Sequence, residues 1–525
     1  MRVINLRLIW IPLFSVLVHT ACDARAEQAG FKPIFDGKTL AGWKAPDMSY
    51  WSVKDGAITG RATEQHPVKT NQFIVWQLGE LDDFELRLKY RITGTPAANS
   101  GIQFRSKIAA DGHAIGYQAD IDLEGRYAGA LYDEHGRGML AERGQKTAIG
   151  RDGKMTHTAI GDSDALWTNV RKDGWNDYHI VAVGTGITLK INGKVTAEVV
   201  DNHDGQRDLT GALALQLHSG PPLTVQFKDI RLKRLRLLGR KKIVLIAGPR
   251  SHGFGSHEHN AGCLLLAKCL NENAADVCAV AYLNGWPKDP TALDNADAVA
   301  IYSDGGGGQV AMRHLEHVDE LAKESVGIAF LHYALDVPKG RPGDYLRDWI
   351  GGCYETHWSV NPTWVADFKQ LPNHPVARGV KPFTINDEWY YHMRFVENMR
   401  NVTPILTAIP PDRTRRGRDG AHSGNPQVRA RMGMPEHIAW VYERADGGRG
   451  FGLTGGHWHW NWAHNDFRKL VLNALVWIAG GEVPPHGVAS RTPSLDELLA
   501  NQDYAVPNGW KRERIQQMIA SWNRP

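Results

Sequence analysis

Ile243-Val-Leu-Ile-Ala247 is an unbroken apolar run, the pattern of a strand buried on both faces of a parallel sheet. Beyond it, strands and helices alternate. Segment 260–272 has helical period, 276–281 and 298–302 read as strands, 309–324 as helix and 327–331 as strand. A last strand at 451–455 leads into 467–478, where Leu470, Val471, Ala474, Leu475 and Ile478 make one apolar stripe ending before Gly480-Gly481. This alternation predicts an open α/β sheet with helices on both sides over 240–485, followed by a tail at 486–525.

Upstream of Lys241 the period is two. Phe84-Glu-Leu-Arg-Leu-Lys-Tyr90, Gly101-Ile-Gln-Phe-Arg-Ser106, Ile187-Thr-Leu-Lys-Ile191 and Leu213-Ala-Leu-Gln-Leu217 alternate apolar with polar, and Asn192-Gly193 supplies a hairpin turn. Many short strands with turn signals predict an antiparallel β-sandwich over 30–236. The chain is thus multidomain, and its 525 residues exceed what one hydrophobic core supports.

A composition of 42% hydrophobic and 22% charged residues is that of a globular protein and excludes wholesale disorder. A net charge of only +4 gives no electrostatic case for a nucleic-acid partner. The 18 Trp and 23 His suit sugars, metals and proton transfer better. At the start, Arg2 and Arg7 precede an apolar stretch from Leu8 to Val18, and Ala24-Arg25-Ala26 fits a cleavage site. Residues 1–26 therefore read as a signal peptide, and export to the periplasm or the medium is expected. A lipoprotein anchored through Cys22 ranks second, because His19 stands where such signals carry Leu. No later run approaches 18 apolar residues, so no membrane span is expected. Cys263, Cys269, Cys278 and Cys353 have neither CxxC nor zinc spacing and read as buried thiols.

The chemistry gathers on strand faces. In Tyr117-Gln-Ala-Asp-Ile-Asp-Leu123 the alternation puts Gln118, Asp120 and Asp122 on the face opposite Tyr117, Ala119 and Ile121. The same sorting turns Gln103 and Arg105 outward from Ile102 and Phe104, and Gln216 and His218 outward from Leu213, Leu215 and Leu217. Solvated strand faces also carry polar residues, but Gln, Asp and Arg in register bind ligands well. Two Asp at i and i+2 repel unless a cation or proton sits between them.

Phe31-Lys-Pro-Ile-Phe-Asp-Gly-Lys-Thr-Leu-Ala-Gly-Trp43, Asn99-Ser-Gly-Ile-Gln-Phe-Arg105, Gly116-Tyr-Gln-Ala-Asp-Ile-Asp122 and Gly129-Ala-Leu-Tyr-Asp-Glu134 resemble successive blocks of the 3-keto-disaccharide hydrolase family. The resemblance implies a concanavalin/laminin-G-like jelly roll that cleaves glycosides already oxidised to a ketone at C3. A C3 ketone acidifies the C2 hydrogen, so a base forms an enediolate, the C1 substituent leaves, and water adds back. The resemblance points to Asp120 or Asp122 as base or metal ligand and Glu134 or His135 as acid. Asn99, Arg105, Gln118, Tyr132, Gln216 and His218 would bind substrate. A divalent metal ion between Asp120 and Asp122 would relieve their repulsion and polarise the ketone. Two-carboxylate glycosidase chemistry is the competing mechanism.

In the second half, residues just past the strands carry imidazoles: His252, His257 and His259 after the first, His332 after 327–331, and His457 and His459 after the last. Ligands of doubly wound sheets gather at that edge. Asp304-Gly-Gly-Gly-Gly308 lacks the features of a P-loop and reads as a plain loop, and no nucleotide cofactor is expected. Gly351-Gly-Cys-Tyr-Glu-Thr-His357, Asn386-Asp-Glu-Trp389 and Gly448-Arg-Gly-Phe-Gly452 with Gly456-His457 resemble the ThuA-like family, associated with trehalose utilisation. That resemblance implies a flavodoxin-like topology of the class I glutamine-amidotransferase kind. His332 occupies the place of the amidotransferase Cys nucleophile, which argues against glutamine hydrolysis. The resemblance implies a pocket of His252, His332, His357, Glu388 and His457, serving metal binding, acid–base work on a keto-sugar, or sugar binding without turnover.

The leading expectation is an exported carbohydrate-active enzyme that cleaves 3-keto-glycosides by hydrolysis or elimination and hydration, with the second domain acting on or binding a related sugar. Its partners would be an oxidised sugar substrate and a separate oxidoreductase that makes the ketone, since no dinucleotide fingerprint is present. The alternative is a non-catalytic carbohydrate-binding protein with a lectin-like sandwich.

Overall fold

The computed structural model describes residues 29–172 and 174–523. The signal-peptide and Cys22 expectations lie outside them. The chain divides into two compact units, one of residues up to Leu235 with Asp289–Thr291, the other of Arg236–Lys288 and the rest. Among the described residues no helix is long and apolar enough to cross a membrane.

The first unit is a sandwich of a ten-stranded and a seven-stranded sheet. In the larger sheet, Phe84–Gly94 lies between Asn176–Val183 and Leu223–Arg234, and its residues alternate buried and half-buried as the sequence predicts. The Asn192–Gly193 turn joins Gly186–Ile191 to Lys194–Asp201, with Gly193 at the positive φ such a turn requires. Pairing is antiparallel except where Gln145–Ile149 runs parallel to Lys194–Asp201. Leu86, Leu88 and Tyr90 from the larger sheet meet Ile102, Phe104, Tyr117, Ile121 and Leu215 from the smaller in one core.

The seven-stranded sheet orders Gly138–Ala141, Leu131–Glu134, Ala114–Asp122, Asn99–Ile108, Ala212–Leu217, Gln72–Trp76 and Trp43–Lys44. Its central strands are buried on both faces. A solvated outer face would leave every second residue exposed; here the outer face is a second, polar interior.

The second unit carries a seven-stranded sheet in which Val277–Tyr282, Lys241–Ala247, Ala298–Tyr302, Gly327–Leu331 and Arg449–Leu453 run parallel in that spatial order. This is the flavodoxin-like 2-1-3-4-5 arrangement. Two strands that the periodicity did not reveal, Glu436–Glu443 and Val402–Ala408, extend it antiparallel. The apolar run splits as a doubly covered strand must: Ile243, Leu245 and Ala247 pack with helices His259–Asn273 and Asn465–Ile478, while Val244 and Ile246 pack with Leu315–Lys323 and Arg341–Ile350. The helix expected over 309–324 starts only at Leu315, because the Gln309 side chain caps the Ala311 amide at 2.6 Å and closes a turn before it. Glu388 ends the strand Phe383–Glu388, which pairs with Thr363–Phe368 in a separate hairpin.

Candidate functional site

On the outer face of the smaller sheet, register aligns Gln103, Gln118 and Tyr132 in one row and places Gly101 opposite Asp120 in the next. The polar side chains form a directed chain. Ser106 Oγ donates to Gln103 Oε1 at 2.8 Å, Gln103 Nε2 to Gln118 Oε1 at 2.9 Å, and Gln118 Nε2 to Asp120 Oδ1 at 2.8 Å. Gly101 makes room for it, since a Cβ there would lie 2.4 Å from Gln118 Cδ. Burial holds the Asp120 carboxyl well above the usual carboxylate range; the Gln118 hydrogen bond opposes this, and the charges of Glu134 and Asp122 add to it. Tyr132 is likewise raised, by burial and then by Glu134 and Asp120. Gln216 is fully buried and neither its amide nitrogen nor its oxygen has a partner, an arrangement that costs free energy unless a ligand supplies one.

The rim is closed by loops. Asn71 donates to Glu134 Oε1 at 3.3 Å and accepts from the Ser219 amide at 2.9 Å. It thereby draws the His218–Ser219 loop towards the acid, and His218 Nδ1 lies 2.5 Å from Ser219 O. His135 Nε2 is 3.8 Å from Glu134, and the rings of His135, His113 and Phe73 follow one another at 5.4 and 6.1 Å. Asn99 is half-buried at the sheet end, opposite Asp122. The structure therefore brings Gln118, Asp120, Tyr132, Glu134, His135, Gln216 and His218 to one face and its rim.

Two expected members belong elsewhere. Asp122 accepts four backbone N–H groups, those of Gly125, Arg126, Tyr127 and Ala128, at 2.7–3.0 Å, two on each oxygen. These four amides stabilise its charge and engage both oxygens, so Asp122 closes the 124–128 loop, and no described group of three or more possible metal ligands includes it. Arg105 turns inward. The register shifts between Gln103 and Lys107, Arg105 has φ +49°, and its guanidinium bonds Asp82 O, Gly184 O and Asp83 Oδ1, each at 2.7 Å. A bulge reverses the alternation on which its outward placement rested.

In the second unit the strand ends converge as their order requires. His332 follows Gly327–Leu331 directly, with φ +57°. Its Nδ1 lies 2.7 Å from Thr454 O and its Nε2 lies 3.1 Å from His257 Nε2. His257 turns its Nδ1 to Asp304 at 2.7 Å and its Nε2 to His457 Nδ1 at 2.9 Å. Glu388 Oε2 stands 3.2 Å from His457 Nδ1 and 3.6 Å from His332 Nε2. Tyr390 OH is 3.3 Å from that carboxylate and 3.4 Å from His332 Nε2. Burial, then the neighbouring imidazoles, pushes His332 well below its ordinary value; burial also lowers His257, against the pull of Asp304. The loop after the last strand is fixed by Asp387, which accepts from the Gly456 and His457 amides and from Asn461.

Of the pocket the sequence implied, His332, Glu388 and His457 come together. His252 stacks on His257 at 3.6 Å, half outside the cluster. His357 is exposed and near His422 instead. Asp304, read as the start of a plain loop, is the partner that orients His257. His257, Tyr390, Asn71 and Gln103 are site members beyond those expected from the sequence. His257 sat in the His-rich loop and Gln103 on the quoted strand face, so both carried a signal. Nothing local marked Tyr390 or Asn71. Trp389 and Trp460 are buried in the core.

No curated protein matches the chain. Among solved structures it is similar to a candidate glycosyl hydrolase from Parabacteroides distasonis ATCC 8503, at 18% identity over 41% of this chain and 96% of that one, TM-score 0.27. It is also similar to the carbohydrate binding module CBM66 from Bacillus subtilis, at 14% identity over 37% and 95%, TM-score 0.25. A candidate ThuA-like protein from Parabacteroides merdae ATCC 43184 aligns at 16% identity over 47% and 92%, TM-score 0.33. Two family models match the sequence, one described as a 3-keto-alpha-glucoside-1,2-lyase-like domain over residues 30–233 and one as trehalose utilisation, ThuA, over 244–478. The first of these matches falls on the sandwich and the second on the α/β unit.

Proposed function

We propose that the sandwich cleaves glycosides carrying a ketone at C3, with Asp120 as the base that removes the C2 proton. The reading is supported by the family description and carried by one observation: a buried carboxyl with an upward-shifted pKa, oriented by an amide chain, facing a second carboxylate at the rim. A higher pKa makes the ionised carboxylate a stronger base, as a carbon acid demands. Asp120 takes the C2 hydrogen and the electron pair passes to the C3 carbonyl oxygen as an enediolate. Collapse of the enediolate breaks the C1–O bond, forms the C1–C2 double bond and restores the ketone; Glu134 or His135 protonates the departing oxygen. Water then adds its hydroxyl at C1 and its hydrogen at C2, giving net hydrolysis. The orphaned Gln216 amide and Gln118 supply polar contacts for the sugar oxygens. The ketone itself would come from a separate oxidoreductase acting beforehand.

The test is incubation of full-length protein with a 3-keto-disaccharide and chromatography for a free 3-keto-monosaccharide across pH. Because the base must be ionised, kcat/KM is expected to rise with pH through an acid limb lying above the ordinary Asp value of about 3.9. Binding without product would favour the lectin-like alternative, and a limb at the ordinary value would remove Asp120 from the role of base.

A further inference from the structure

We infer that His257, His332, His457 and Glu388 form a binding site for one divalent transition-metal ion of the zinc class. Hydrogen-bond donors and acceptors do not balance in this cluster. Thr454 O is a carbonyl and only accepts, so His332 carries its hydrogen on Nδ1 and presents a lone pair at Nε2. The Asp304 carboxylate likewise fixes the hydrogen of neutral His257 on Nδ1 and leaves a lone pair at its Nε2. These two nitrogens nevertheless face each other at 3.1 Å, in a buried place. Two lone pairs at that distance repel, and nothing between them is a donor. His457 Nδ1 has at most one hydrogen for two acceptors, His257 Nε2 at 2.9 Å and Glu388 Oε2 at 3.2 Å. The Tyr390 hydroxyl has one for His332 and Glu388, both at long range. Acceptors outnumber donors, and a cation reconciles them.

The spacing agrees. A tetrahedral ion with ligands at about 2.0–2.1 Å separates them by about 3.3–3.4 Å. The four contacts of 2.9, 3.1, 3.2 and 3.6 Å bracket that edge, and all four atoms lie within 4.8 Å of one another. Three imidazoles and one carboxylate favour zinc-like ions over calcium or magnesium, which take oxygen ligands. Asp304 and Thr454 O play the outer part that metal-bound imidazoles require, accepting the hydrogen of the other ring nitrogen. His257 and His332 are buried while His457 and Glu388 are 16% and 19% exposed at the side chain, so solvent reaches the cluster at His457 and Glu388. The proposal stands apart from the chemistry assigned to the sandwich, and either can fail without the other.

The test uses full-length protein with any affinity tag removed, stripped by a chelator, dialysed and titrated with zinc and separately with cobalt(II). One ion per chain is expected, with visible cobalt absorption of an imidazole-ligated centre. Asp304→Asn should weaken binding about 10–100-fold. Glu388→Gln and His457→Ala should weaken it at least as much, with circular dichroism unchanged. His357→Ala, outside the cluster, should bind as the parent does. If a ligand variant fails to fold, Asp304→Asn carries the comparison. No ion retained and no cobalt spectrum would overturn the site, as would unchanged affinity in Asp304→Asn, Glu388→Gln and His457→Ala, which would place the ion elsewhere among the 23 His.

Discussion

Replacing Asp120 by Asn is expected to slow release of the 3-keto-monosaccharide by about 10²–10⁴-fold, the range a positioned general base contributes. The same change is expected to raise the melting temperature. Asp120 is only 5% exposed and its folded-state pKa is raised, chiefly by burial. A group raised in this way favours the fold below its unfolded pKa, and that contribution disappears as pH rises through the folded value. Above that folded value the ionised carboxylate therefore opposes folding, whereas a neutral amide can still accept from Gln118 and carries no charge to desolvate. Calorimetry and product assay on one preparation decide the matter. Loss of both stability and activity would make Asp120 an element of the scaffold; gain of one with loss of the other marks a functional group held at a cost to stability.

Arg105→Ala should behave in the opposite way. Its guanidinium ties the smaller sheet to the larger through Asp82 O, Gly184 O and Asp83, and both members of the ion pair are 1% exposed. Removing the guanidinium takes a charged partner from the buried Asp83, which keeps the Gly184 amide, so a loss of about 3–5 kcal/mol is expected in a denaturant titration. Turnover per folded molecule should hold, because the side chain lies on the core side of the strand. Arg105→Lys keeps the charge but not the three-way fork and should recover only part of the loss. A variant that stayed stable but bound sugar poorly would restore Arg105 to the substrate face.

The contrast between these two residues shows what the sequence could and could not disclose. Alternation along Tyr117–Leu123 was enough to group Gln118 with Asp120, because that strand pairs without interruption over those residues. Arg105 obeys the same alternation on paper. One bulge, with its left-handed residue, turns it to the opposite side, and no local signal distinguishes that residue from its neighbours. Asp122 shares the Asp120 face by period, yet its role depends on how 124–128 curls back to offer four amides, a property of the loop rather than of the strand. In the second unit, His332 and His457 were legible because strand ends of a parallel sheet meet at one edge. His257, φ +51°, was marked by its His-rich loop, but its pairing with Asp304 appears only in three dimensions, where their hydrogen bond shows which imidazole nitrogen faces inward. Glu388 was reached through family resemblance alone, since it ends a strand of a separate hairpin and not of the main sheet.

In the proposed mechanism the carbon–hydrogen bond at C2 breaks before the glycosidic bond. Running the reaction in deuterium oxide and reading the product by proton NMR tests it most directly. Deuterium incorporated at C2 of the released 3-keto-sugar, with label and product both lost in Asp120→Asn, is the outcome expected. A product formed at full rate with its C2 hydrogen retained would contradict it and assign the cleavage to direct displacement at C1.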